Sequence, residues 1–202
     1  MKLEEVWAER IGTEIDYYLD SGDFGEAFLT TDNRVIKITS NVNEACCCAM
    51  TLNKKNEHLI NVYDVKIFPN GSFGILMDYV EQPSELENAF HELQNIGEIM
   101  GYTLLEIDED DFDDFDELEG VELSEDASKL LEALSAGSFE ARKCGFEPTD
   151  IKFENSGVTK DGKIVMFDHL AGMQTLTIED LKLLIPAQEK EKTKERELDL
   201  TP

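Results

Sequence analysis

Between Asp150 and Asp168 the sequence reads DIKFENSGVTKDGKIVMFD, and three of its side chains carry oxygen at useful intervals. Asp150 and Asn155 sit in a polar loop, DIKFEN, that leads into an apolar pulse, and Asp168 directly follows a second pulse, KIVMF. The Lys-Asp-Gly-Lys turn between the pulses predicts a hairpin with Asn155 and Asp168 at its two ends. An amide oxygen and a carboxylate paired there suit Mg²⁺, which takes hard oxygen ligands and draws the rest from phosphates and water. Asp150 is left to orient a hydroxyl and accept its proton, the division of labour that phosphoryl transfer requires. Two upstream features fit the same chemistry. Lys37, in the apolar strand RVIKIT, must either reach solvent along its stem or meet an anion. The turn DSGDFG sets Ser21, Gly22 and Gly25 around Phe24. Glycines there let backbone N–H groups approach a polyphosphate, although a tight hairpin needs glycines in any case.

The elements that must position these groups follow from patterning. Residues Met1 to Ile15 read as a short helix. From Tyr17 to Ile38, apolar pulses broken by Ser-Gly-Asp-Phe-Gly and Asp-Asn-Arg predict three short strands. NEACCCAMTLNKK suits a helix with Asn43 at its start. LINVYDVKIFPNGSFGILMDYVE predicts two more strands, joined at Pro-Asn-Gly. After Pro83 the period changes: Leu86, Phe90, Leu93 and Ile96 mark a helix, with Ser84 and Glu87 as its capping box. A second helix starts at Ser124, and TIEDLKLLIPAQEKEKTKERELDL closes the chain as a charged one. The expectation is an α+β chain in two lobes: 1–82 with five strands and a helix, and a mainly helical 83–202.

Charge narrows the partners. Asp and Glu number 45 against 18 Lys and Arg, a net charge of -27 that repels nucleic-acid backbones and favours basic protein surfaces. No apolar run approaches a membrane span, and MKLEEVWAERIG lacks the apolar centre of a signal peptide, so a cytoplasmic setting is expected. Cys46, Cys47 and Cys48 are consecutive, so on a helix they point about 100° apart and cannot share one metal. Reduced thiols are expected, Cys144 included. His58, His91 and His169 lack partners at metal-ligand spacing, while Trp7 and Phe28 are core candidates. Within the acidic insertion 106–122, Phe112, Phe115 and Leu118 recur every three residues. That stripe suits a solvated insertion, a segment docking on a basic partner, or a polyanion mimic.

Taken in chain order, these features resemble a protein kinase. DSGDFG stands where the glycine loop would be, with Asp20 at its first glycine place; RVIK matches the lysine strand, PTDIKFEN the catalytic loop without its His-Arg, and DHL the Asp-Phe-Gly. ILMDYVE resembles the hinge, which implies Met77 guarding an adenine pocket with the Asp78 to Val80 backbone beside the base. The resemblance also implies that Glu44 pairs with Lys37, and that Lys152 serves beside Asp150 as in Ser/Thr kinases. The match is closer to the small early kinases of short-tailed lytic bacteriophages, which are similar in RVIK, in NVYDV (Asn61 to Val65) and in the D-x-x-x-x-N loop. That resemblance implies a Ser/Thr kinase using ATP and Mg²⁺ on host proteins in the host cytoplasm. It also implies a shut-off of host transcription, with RNA polymerase or RNA-processing enzymes among the partners. The departures are His169-Leu170 in place of Phe-Gly, no Ala-Pro-Glu, and little chain after Asp168, so the helical lobe is expected to be reduced. The competing expectation is a kinase-like acidic binding protein, weak or dead in catalysis, that inhibits a host nucleic-acid enzyme such as RNA polymerase.

Overall fold

The computed structural model describes residues 2–22, 24–52, 54, 56–100, 122–146, 148–149, 151–167, 170–171 and 175–185. Asp150, Asp168, His169 and nearly all of the acidic insertion therefore lie outside the described residues. The chain forms two compact units, one comprising Met1–Asn56, Ile60–Tyr79 and His169–Pro202, the other Glu57–Leu59 and Val80–Asp168. Among the described residues no helix is long and apolar enough to cross a membrane.

In the first unit, helix α1 (Leu3–Arg10) precedes the strands β1 (Ile15–Gly22), β2 (Gly25–Thr30) and β3 (Arg34–Thr39). Helix α2 (Val42–Thr51), then β4 (Val62–Ile67) and β5 (Phe73–Asp78), follow. The five strands form one sheet in the order β1-β2-β3-β5-β4, antiparallel throughout. The Pro-Asn-Gly turn forms as expected: Gly71 takes φ +86°, and the Phe68 N–H donates to the Ser72 carbonyl at 2.9 Å. On one sheet face Ile36 and Leu76 pack with Trp7, Ala8 and Phe68, the Trp7 and Phe68 rings meeting edge-on at 5.8 Å. Gly74 permits this contact, since a Cβ there would lie 2.4 Å from the Trp7 ring. Phe28 is buried as expected. A further helix, α5 (178–185), belongs to this unit.

The second unit holds α3 (Ser84–Met100), α4 (Glu125–Cys144), a 3₁₀ turn (Phe153–Asn155) and a hairpin of Ser156–Val158 with Ile164–Met166. Its core is built from Leu86, Ala89, Phe90 and Leu93 of α3 and Leu130, Leu131 and Leu134 of α4. Ser124 caps α4 as expected, accepting from the Ala127 N–H at 3.1 Å, and Gly145 ends it at φ 106°. Two helix starts differ from expectation. The cap of α2 is Asn41, not Asn43: its Oδ1 accepts from the N–H groups of Asn43 and Glu44 at 2.9 and 3.3 Å. An Asx side chain caps the amides two and three residues on, and Asn43 is already helical. At α3 the Ser84–Glu87 capping box does not form. Ser84 is the first helical residue, the Pro83 carbonyl accepts from Leu86 and Glu87, and the Ser84 hydroxyl bonds Glu85.

Candidate functional site

Lys37 lies on the middle strand, between Ala27 of β2 and Ile75 of β5. Side chains alternate across a strand, so with Ile36 on the Trp7 face, Lys37 stands on the other. There it meets Glu44, Nζ to Oε1 at 2.6 Å, with the carboxylate side chain 2% exposed and the lysine 18%. A carboxylate that deep requires a cation or hydrogen bonds. Only six residues separate the pair, and the local structure accounts for so short a link. β3 ends at Thr39, whose Oγ1 accepts from the Asn41 N–H at 3.1 Å. Asn41 then caps the first turn of α2, and that turn carries Glu44 back over the strand. A lysine oriented in this way fits a phosphate ligand.

The glycine turn is anchored at its tip. The Phe24 carbonyl accepts from the Ser40 N–H at 2.8 Å, the Ser40 hydroxyl at 3.1 Å and the Thr39 hydroxyl at 3.3 Å, while the Phe24 ring is exposed. Gly25 has a structural reason to be glycine: a Cβ there would come within 2.2 Å of the Ile38 carbonyl oxygen. Gly22 meets no such obstacle. The Ser21 N–H donates to the Asp20 carboxylate at 2.7 Å. The residue at the first glycine place thus supplies its own acceptor for that amide.

At the end of β5, Met77 is buried and Asp78 is held by its neighbours. Its carboxylate accepts from the Asn61 side-chain amide at 2.7 Å and from the Tyr63 hydroxyl, and its N–H donates to the Asn61 carbonyl at 3.2 Å. The Asp78 amide is therefore not a donor for a base. Burial, followed by the bond to Asp78, pushes the Tyr63 hydroxyl up to about 12, and Arg34 lies 5.9 Å over the Tyr63 ring. Asn61 and Tyr63 escaped notice as a pair, although alternate residues of an extended strand share a side.

In the second unit Val80 packs on the hairpin. A Cβ at Gly157 would lie 2.5 Å from Val80 Cγ2, and Glu81 exchanges backbone bonds with Val158 at 2.9 and 2.7 Å. The Gln82 amide donates to the carbonyls of Phe153 and Ser156 at 3.0 Å each. Phe153 also meets the Phe90 ring of α3 edge-on. These contacts fix the loop carrying Lys152, which is exposed, and Asn155, which is buried. The Asn155 N–H donates to the Lys152 carbonyl at 3.0 Å, and its carbonyl accepts from the Phe167 N–H at 2.8 Å. The expected hairpin thus exists, and it pins Asn155 against the residue that immediately precedes Asp168. An amide oxygen such as that of Asn155 is a ligand of the kind Mg²⁺ accepts. Among the described residues no three His, Cys, Asp or Glu side chains gather as a metal site. His58 is structural: its Nδ1 lies 3.2 Å from the Ile164 carbonyl, and its N–H donates to Glu140.

No protein-family model matches the sequence, and no curated protein matches it either. Solved structures do. The PknI kinase domain of Mycobacterium tuberculosis aligns with a TM-score of 0.50 at 17% identity, over 81% of this chain and 61% of that one. The kinase PK-1 of Cydia pomonella granulovirus aligns with a TM-score of 0.53 at 18% identity, over 85% of this chain and 60% of that one. The chain thus spans about three fifths of the length of these kinases. At such identity the likeness speaks for the fold alone, and the fold is protein kinase-like, with a five-stranded antiparallel sheet and helices.

Proposed function

We propose that the chain is a Ser/Thr protein kinase of the bacteriophage type, moving the terminal phosphoryl group of ATP onto protein hydroxyls. The observation that carries this reading is the Lys37–Glu44 ion pair at 2.6 Å, bridging the middle strand and α2 within a kinase-like fold. Lys37, oriented by Glu44, would bind the ATP phosphates, with Ser21, Gly22 and Gly25 lining the turn above them. Met77 and the backbone from Asp78 to Val80 would border the base. Asn155 and Asp168 would hold Mg²⁺, which when bound supplies positive charge against the phosphates. Asp150 would orient the acceptor hydroxyl and take its proton as the new O–P bond forms and ADP departs, with Lys152 beside it. The net charge of -27 suits protein substrates with basic surfaces, such as host RNA polymerase or RNA-processing enzymes, in the host cytoplasm.

The same charge favours a second reading, a kinase-like acidic protein that acts by binding a host nucleic-acid enzyme and shutting off transcription without transferring phosphate. A basic Ser/Thr peptide incubated with ATP and Mg²⁺ separates the two. The kinase reading expects phosphopeptide from the native chain and none from Asp150→Ala, and the binding reading expects none from either.

A further inference from the structure

Ala45, Cys46, Cys47, Cys48 and Ala49 are all between 0% and 2% exposed, so α2 is enclosed on every side despite its small side chains. One side lies on β4 and β5. Residues two apart on a helix point about 200° apart, so Cys46 faces away from Glu44 and hence from Lys37. What Cys46 faces is α5. Its thiol donates to the Thr177 carbonyl at 3.5 Å, the same carbonyl that accepts from the Leu181 N–H at 3.1 Å, and Leu181 is 0% exposed. The start of α5 is itself fixed by a reciprocal cap. The Thr177 N–H donates to the Asp180 carboxylate at 2.8 Å, and the Asp180 N–H donates to the Thr177 hydroxyl at 3.3 Å. The consecutive cysteines thus gain a physical reason: small side chains let α2 lie close to the sheet, to α5 and to the Leu170–Ala171 strand at once.

We infer that α5 is a brace for α2, and that Leu181, Cys46 and the Thr177 cap are positioning residues that hold Glu44 on Lys37. A helix of alanines and cysteines buries little area per residue against a sheet alone, so the elements on its other sides, α5 and the Leu170–Ala171 strand, decide where it rests. A displacement of about an ångström at the first turn is enough to open the 2.6 Å ion pair. The consequence for catalysis rests on the kinase reading above, whereas the brace itself does not.

The test uses the full chain with Leu181→Ala, Thr177→Ala and, as a control, Leu183→Ala at a position 74% exposed on the same helix. The first readout is the rate at which acetic anhydride modifies Lys37 in the folded protein, followed by peptide mass. Undocking of α5 should raise that rate about tenfold in the first two variants, within the range usual for coupled sites, and leave Leu183→Ala as native. Leu181→Met should restore protection. If Leu181→Ala fails to fold, Thr177→Ala decides, because it removes a cap and leaves the core filled. The second readout is peptide phosphorylation. kcat/KM should fall by a similar factor, and Leu181→Ala should cost nothing further in a Glu44→Gln background, which a general loss of stability would not reproduce. Native Lys37 reactivity in a folded Thr177→Ala variant would overturn the brace. A native chain that transfers no phosphate would overturn the kinase reading and leave the Lys37 result to stand alone.

Discussion

The two partners of the Lys37–Glu44 pair are unequally buried, and removing them should have unequal consequences. The Glu44 side chain is 2% exposed and Lys37 is 18% exposed on a flexible stem. Lys37→Met would leave a carboxylate deep in the first unit without its cation, at a cost of about 3–5 kcal/mol. Glu44→Gln keeps the volume and one oxygen of the original side chain. The ammonium left behind can shift toward water along its stem, so the loss should be about 1–2 kcal/mol. Removing both charges at once, as Lys37→Met with Glu44→Leu, should return stability to within about 1 kcal/mol of native, because neither charge of the pair is then left buried without the other. Urea unfolding at pH 7 with a common m-value measures all three. Equal losses from the two single changes, or a double variant that costs their sum, would refute the argument.

Three further outcomes follow from individual contacts. Gly25→Ala should destabilise by about 2–3 kcal/mol in thermal melts, because its Cβ would meet backbone that cannot yield, while Gly22→Ala should change stability by no more than about 0.5 kcal/mol. The Arg34 guanidinium, with Thr30 and Thr13, holds the Asp32 carboxyl down at about 2 from 3.8. Its contribution is present above about pH 4 and is lost as pH falls to about 2. The side chain is 42% exposed, so solvent screening limits the effect to about 1 kcal/mol, and Asp32→Asn should flatten that part of the urea midpoint–pH profile. Burial pushes the Cys46 thiol up to about 11, and Cys47 and Cys48 are equally enclosed. A thiol reagent at pH 8 should label Cys144 first in the native protein and all four cysteines in denaturant.

Much of the first unit was legible from local pattern, because each strand carried its own turn chemistry. Pro69-Asn70-Gly71 and Asp32-Asn33 announced hairpins that formed with positive φ at Gly71 and Asn33. The pairing of Glu44 with Lys37 came from resemblance, and its short interval became intelligible only once Asn41 proved to be the cap. Other features depend on contacts between distant residues, which a linear pattern does not display. Gly74 is glycine for the Trp7 ring, Gly157 for Val80 and Gly25 for the Ile38 carbonyl, none of which lies within ten residues of its partner. The three cysteines suggested only reduced thiols, since nothing in ACCCA tells that a helix from the far end of the chain covers it. Ser84 misled because Pro83 can already provide the carbonyl that starts α3.

The proposed kinase chemistry assigns Asp150 to the acceptor hydroxyl and Lys37 and Asp168 to the nucleotide. Titrating Mg²⁺-ATP into native protein, Asp150→Asn and Asp168→Asn by calorimetry, and following label from ATP onto a Ser/Thr peptide in the same samples, tests it in one measurement series. Asp150→Asn should keep nucleotide affinity near native and lose transfer by about 10²-fold or more, and Asp168→Asn should weaken binding itself. Transfer at the native rate by both variants, or nucleotide binding unaffected by Asp168→Asn, would contradict it.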